Sequence, residues 1–321
     1  MVSKAAEISA FLIFGNPLTT HCFRFQLSAF GCICLPLAAC GLKLFLAFVF
    51  WNLVLITFAP KITQSMAYAV CRVPVAPLRA APTHKSEMNS QLLLAEAALI
   101  LEETKDFIKL QCMHDGYEGW CQRAQVVISD TWTNSTPSQL YTADWLSTVT
   151  INKVPAHIPM GIPVIDKDNA RQLSAVLQID YGKAATYNAT NSKPEAEAIR
   201  ARAELFLNTP YLWGGRTVFG IDCSGFAQIV FRFFNIPLLR DAWLQATQGE
   251  AIGFLQEARC GDLAFFDDAE GQIIHVGILL NDHEIIHSSG HVRIDKIDNA
   301  GIVNAETGVR THQLRIIKRF I

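Results

Sequence analysis

Tyr211-Leu-Trp-Gly-Gly-Arg-Thr-Val-Phe-Gly-Ile-Asp-Cys-Ser-Gly-Phe226 is a glycine-rich loop that runs into a cysteine and then into a helix. Gly214, Gly215 and Gly220 free the backbone to turn and to approach other groups closely, and Asp222 has the side chain of a helix N-cap. Cys223 follows in the first turn, where the positive end of the helix macrodipole favours thiolate, the form of cysteine that attacks carbonyls. A cysteine taken alone is more often a small core hydrophobe. The loop in front of this one argues for chemistry. The helix from Ser224 to Asn235 carries Phe226, Ile229, Val230 and Phe233 on one face, so burying that face would hold Cys223 rigidly.

Downstream, Ala258 to Phe266 reads as a turn feeding a strand, and Ile273 to Leu280 and Glu284 to Gly290 read as strands joined at Asn281-Asp282. His275 stands in an apolar strand, where a polar ring needs a partner or a task, and His287 lies in the next strand. Adjacent strands can bring both imidazoles to one face. That is the layout of Cys-His catalysis: a base takes the thiol proton and a second polar group holds the base in its working tautomer. Residues 292–321 contain a closing strand, Gln313 to Phe320, and no further chemistry that the pattern reveals. Upstream, Glu195 to Leu207 has helix-forming composition, with Pro194 suited to the first turn.

Tyr-Leu-Trp-Gly-Gly from Tyr211, Asp-Cys-Ser-Gly-Phe from Asp222, Gly-Asp-Leu-Ala-Phe-Phe from Gly261, His-Val-Gly-Ile from His275 and Ile-His-Ser-Ser-Gly from Ile286 occur in that order. In this the chain resembles the NlpC family of cell-wall cysteine peptidases, over about residues 195–300. The resemblance implies a compact papain-like fold with Cys223 as nucleophile, His275 as general base and then acid, and His287 orienting His275. Backbone N–H groups near Cys223, with the Tyr211 side chain as a further donor, would hold the oxyanion.

Between Met66 and this region lie short strands punctuated by turn residues: Val70 to Leu78, Ser86 to Leu94, Phe107 to Met113, and Asp115 to Gln122. Gly116-Tyr-Glu-Gly-Trp120 resembles a late-strand signature of bacterial SH3-like domains. Val126 to Ile128, Thr148 to Ile151, Gly161 to Ile165 and Ser174 to Ile179 read as strands of a second such barrel, although no internal repeat supports duplication. The expected fold class is α+β: a papain-like NlpC catalytic domain (190–321) preceded by two small SH3-like β-barrels (66–125 and 126–189). This pairing resembles the subgroup that cleaves γ-D-glutamyl-diamino acid bonds in murein peptides with a free N-terminal L-Ala, in which the first SH3-like domain closes one end of the groove. The resemblance implies release of L-Ala-γ-D-Glu in cell-wall peptide recycling, with the substrate amine met by Asp222 and Ser224 and by Glu87 and Tyr117 of the first barrel. An ammonium leaving water needs such a carboxylate and acceptors. Many relatives carry Ser after Arg-Asp, where this chain has Ala242 and Trp243. Three other readings compete: a peptidase remodelling intact wall from an anchored or exported position, a catalytically lapsed wall-binding protein, and an acyltransferase or amidase acting on lipids. Cys223, His275 and His287 standing together argue against the lapsed protein.

Residues 1–65 form a hydrophobic extension. Gly41 to Ala59 is long enough to span a bilayer, with Lys43 and Lys61 near its ends. The extension is either a membrane anchor or sequence upstream of a start at Met66; Leu37-Ala-Ala-Cys40 also has the form of a lipoprotein box, but apolar residues follow it. The location is then cytoplasmic for a start at Met66 and membrane-anchored otherwise, and a membrane is a partner only if 41–59 is an anchor. A formal net charge of -2 makes no case for nucleic acid. The nine cysteines include no Cys-x-x-Cys pair, so reduced thiols are expected and neither metal nor cofactor.

Overall fold

Between Tyr68 and Ser129 the alternating apolar pattern forms a seven-stranded antiparallel sheet. It wraps around Ala69, Leu78, Leu92, Ile108, Leu110 and Cys121. The computed structural model describes residues 67–129 and 138–321. The expectations for residues 1–65, the 41–59 segment, Cys40 and Met66 fall outside the described residues. Among the described residues no helix is long and apolar enough to cross a membrane.

Val126–Ser129, expected to open the second barrel, instead pairs with Tyr68–Cys71. It buries Val126 in the first core, so the first unit runs past residue 125. The physical reason is the free edge of the Tyr68 strand, whose N–H and C=O groups this strand satisfies. Between Leu140 and Asn188 the chain forms a three-stranded sheet, centred on Leu146–Ile151, and a two-stranded ribbon. Gly161 to Ile165 forms no strand, and a helix, Lys167–Leu173, follows it. Asp166 caps that helix, its Oδ1 accepting from the N–H groups of Asp168 and Asn169 at 2.9 Å each.

The catalytic region packs the helix Cys223–Arg232 against a second seven-stranded sheet. In that sheet Arg310–Arg319 pairs with Gly301–Val303 as well as Leu263–Asp267, which closes the sheet on itself. Phe226, Ile229, Val230 and Phe231 of the helix are fully buried. Gly277 is required between the sheet strands: a Cβ there would meet the Cβ of His287 at 2.9 Å.

Charge joins the first unit to the catalytic region. Glu96 accepts from Arg216 at 2.9 and 3.2 Å and from Arg232 at 2.6 Å. Arg216 also donates to the Gln91 carbonyl at 2.6 Å, and its backbone N–H to Gln91 Oε1 at 2.8 Å. Burial opposes the charged form of Glu96, but Arg216, His114 and Arg232 together outweigh it and hold the carboxyl well below the usual carboxylate range. Removing one member of such a buried set strands the others without a counter-charge. Glu96→Gln is therefore expected to cost about 3–5 kcal/mol of stability. Urea unfolding checks this, and a loss under about 1 kcal/mol would contradict it.

Candidate active site

Cys223 is the first residue of its helix and is only 6% exposed. Asp222 caps the helix as its sequence position suggests, Oδ1 accepting from the Gly225 N–H at 2.7 Å. The thiol is not, however, made acidic by the helix end. Burial pushes it up to about 12, and the neighbouring Asp222 carboxylate adds to the rise. Burial thus favours the neutral thiol in the resting site.

The strands Ile273–Leu279, Glu284–Ser289 and His291–Asp298 lie side by side and present a relay. His275 Nε2 lies 2.8 Å from His287 Nδ1, and His287 Nε2 lies 2.9 Å from Asp295 Oδ2. Burial opposes the Asp295 charge, but His287 and the surrounding donors hold its carboxyl well below the usual range. Those donors include Arg293 Nε and the Ala305 N–H, each at 2.8 Å. An ionised Asp295 accepts from His287 Nε2–H, which leaves the lone pair on His287 Nδ1. That lone pair accepts from His275 Nε2–H, so the basic nitrogen of His275 is Nδ1. Burial, then His287, keeps His275 well below its ordinary value of 6.5 and therefore neutral. The arrangement can take a proton at His275 Nδ1 and stabilise the resulting imidazolium through His287 and Asp295.

Asp295 and His312 lie in the stretch that showed no chemistry in sequence. His312 stacks on His275 with ring centroids 4.2 Å apart and planes 23° apart. Its own pKa is lowered to about 4 by burial and then by His287, so it adds a neutral cover rather than a charge. The closing strand begins earlier than the expected Gln313, at Arg310, and the closed sheet brings His312 over His275.

The structure treats the other expected residues unequally. Tyr211 is half-buried and close enough to Cys223 and Asp222 that, after burial, their charges raise its phenol above the ordinary value, so it remains a protonated donor. Tyr117 is half-buried, and burial followed by Asp241 pushes it up to about 12. Glu87 is exposed, directly before Met88, whose carbonyl would lie 2.5 Å from a Cβ at Gly214. Asp222 and Ser224, expected to meet the substrate amine, are both engaged by Arg240. Arg240 donates to Asp222 Oδ2 at 2.6 Å, to Asp222 Oδ1 at 3.1 Å and to Ser224 Oγ at 2.9 Å. The Gly214 N–H also occupies Asp222 Oδ2, at 2.9 Å. With the helix cap, both carboxylate oxygens are filled and the charge is neutralised. The neighbouring Asp241, which the sequence reading passed over, stays partly open. Burial raises its pKa against the pull of Arg240, and the Trp243 side chain hydrogen-bonds to it.

Residues 208–311 match the model of the NlpC/P60 family, and residues 78–126 that of the bacterial dipeptidyl-peptidase Sh3 domain. The chain carries an NlpC/P60 domain behind an SH3-like domain, in a mixed α+β fold, and is a cysteine peptidase. It is similar to a gamma-D-glutamyl-L-lysine dipeptidyl-peptidase of Bacillus cereus (strain ATCC 10987 / NRS 248), 25% identical over 261 residues that cover 72% of this chain and 77% of that protein. A protein of the same name from Bacillus subtilis (strain 168) is 26% identical over 219 residues, 63% of this chain and 72% of that one. Among solved structures, an NlpC/P60 family protein from Bacillus cereus ATCC 10987 superposes with a TM-score of 0.64 at 20% identity, covering 79% of this chain and 99% of that chain.

The lowered pKa of His275 fixes the sign of the pH response. Its neutral form persists below pH 6.5, so peptidase activity is expected to hold at neutral pH and to fall as pH drops through the lowered pKa. The unfolded chain takes up the proton first, so stability also falls as pH drops below 6.5. Steady-state rates and unfolding midpoints across pH test both; an acid limb above 6.5 would contradict the assignment. His312→Ala, by opening His275 to water, is expected to move that limb up towards 6.5, whereas His312→Phe, which keeps the face covered, restores it. Coincident profiles for the two variants would remove His312 as a positioning residue.

Proposed function

We propose that the chain hydrolyses the γ-D-glutamyl-diamino acid bond of murein peptides with a free N-terminal L-Ala, releasing L-Ala-γ-D-Glu as in the recycling of cell-wall peptides. The relatives named gamma-D-glutamyl-L-lysine dipeptidyl-peptidase support the substrate class. The observation that carries the free-amine requirement is the division of labour between adjacent carboxylates. Arg240 neutralises Asp222, while Asp241 keeps an accessible carboxylate close to Tyr117. An ammonium leaving water gains most from a carboxylate that has not already been satisfied. The first unit stands directly against this corner: Ser90 Oγ accepts from Arg240 Nε at 2.9 Å, and the Met88 carbonyl abuts Gly214. A glycan-linked stem, lacking the amine and much larger, has no room to continue past such a wall.

In this reading Asp241 and Tyr117 receive the L-Ala ammonium, with Glu87 adding negative potential from the exposed rim. The thiol of Cys223 gives its proton to His275 Nδ1 as sulfur attacks the γ-carbonyl of D-Glu. The carbonyl oxygen becomes an oxyanion, met by backbone N–H groups at the start of the Cys223 helix and by the Tyr211 hydroxyl. His275 then protonates the amine of the departing diamino acid, leaving a thioester on Cys223. Water, deprotonated by His275, cleaves the thioester and frees the dipeptide.

Incubation with L-Ala-γ-D-Glu-diaminopimelate and with its N-acetylated form tests the proposal. The free peptide should be cleaved and the acetylated one left largely intact, and equal rates would remove the amine requirement. Cys223→Ala should abolish cleavage. Asp241→Asn should raise KM for the free peptide at least about tenfold, the size of effect expected when a desolvated ion pair loses one partner.

A further inference from the structure

At the end of the strand Phe107–Cys112 and in the turn after it, Cys112, His114 and Asp115 bring a thiol, an imidazole and a carboxylate together with all ligand atoms within 4.8 Å of one another. We propose that these side chains form a binding site for a divalent transition-metal ion, of which zinc fits best, held by Cys112 Sγ, His114 Nε2 and Asp115 Oδ2 with a water as fourth ligand.

Several observations converge on this triad. The two ring nitrogens of His114 are buried yet make no hydrogen bond, which a buried imidazole otherwise avoids. His114 Nε2 lies 3.1 Å from Asp115 Oδ2, and its Nδ1 lies 3.9 Å from Glu96 Oε2, so the ring stands between two carboxylates. Two ligands about 2.0–2.1 Å from a tetrahedral zinc are separated by roughly 3.3 Å, close to the His114–Asp115 spacing. Cys112 is 2% exposed, and its thiolate and the Asp115 carboxylate would balance the charge of the cation. Binding replaces the thiol proton with the metal and releases that proton to solvent. The donor set, one sulfur with one nitrogen and one oxygen, suits zinc rather than calcium or magnesium.

The surroundings supply an outer shell and an approach for water. Gln228 Nε2 donates to Asp115 Oδ2 at 3.0 Å and would orient the carboxylate, while Asp115 Oδ1 accepts from the Tyr117 N–H at 3.0 Å. His114 also lines a cavity of about 170 Å³ beside Gln228, Arg232 and Leu238, in which Gln228 Oε1 is a buried acceptor without a hydrogen bond. Water held by the metal on that side has an acceptor waiting for it. The expectation of no metal from sequence rested on missing Cys-x-x-Cys pairs. Here the spacing is Cys-x-His-Asp, at a strand end and the turn after it. The ion would stiffen the turn that carries Tyr117.

The test is metal analysis of the full chain in a Cys223→Ala background, which removes the catalytic thiol as a competing ligand. After chelation and reloading with zinc, then gel filtration, about one equivalent should remain, and cobalt should give a sulfur-to-metal charge-transfer band. Cys112→Ser should abolish that band, and His114→Gln should weaken zinc affinity at least about tenfold. Circular dichroism separates loss of ligand from loss of fold: the expected result is a folded apo protein and a folded His114→Gln variant. A folded protein that retains no zinc and shows no cobalt–thiolate band would overturn the site, as would unchanged metal content in both variants.

Discussion

The placement of the nucleophile depends on one buried carboxylate. Glu96 of the first unit holds Arg216, in the loop before Cys223, and Arg232, the last residue of the Cys223 helix. Midway along that helix, Gln228 reaches back to Asp115 of the same unit. The helix is thus gripped near both ends and in the middle by residues far away in sequence. Nonpolar packing alone would tolerate small rotations of the helix about its axis. Paired guanidiniums with fixed bond directions do not, because each rotation leaves a buried charge without its partner. The SH3-like unit therefore acts as part of the catalytic scaffold.

The relay follows a different electrostatic logic. Asp295 carries the only full charge among the hydrogen-bonded groups Asp295, His287 and His275, and two neutral rings separate it from the thiol. At rest burial favours the uncharged forms of Cys223 and His275. Once a proton moves from sulfur to imidazole, the anion at Asp295 stabilises the cation through hydrogen bonds already in place. The charge separation is favoured where it develops and not before, as preorganised electrostatics requires.

Local spacing made much of this legible in sequence. The loop into Cys223, the capping Asp222 and the histidines of adjacent strands are short-range patterns, and the histidine pair met as expected because a turn joins their strands. Asp295 and His312 were not legible, since an acidic or imidazole side chain on an alternating strand looks like a solvated face until the sheet closes. The same holds for Val126–Ser129, whose partner strand lies more than fifty residues earlier. The helix Lys167–Leu173 escaped for a local reason: the strand-like run before it masked the cap at Asp166.

The loop around Cys223 also turns out to divide two tasks differently from the order of its residues. The family resemblance gives Asp222, with Ser224, the task of meeting a substrate amine. In three dimensions it is a structural anion, closing the glycine loop through Gly214 and starting the helix through Gly225. Arg240 makes that possible by neutralising it, and the same guanidinium bonds Ser90 across the domain boundary. The next residue, Asp241, is thereby fixed at the meeting point of loop, helix and SH3-like unit. A peptide whose amine is received there is measured from a rigid corner. The scissile carbonyl it offers to Cys223 is then set by the distance between two elements locked together by Arg240, rather than by the reach of a flexible side chain.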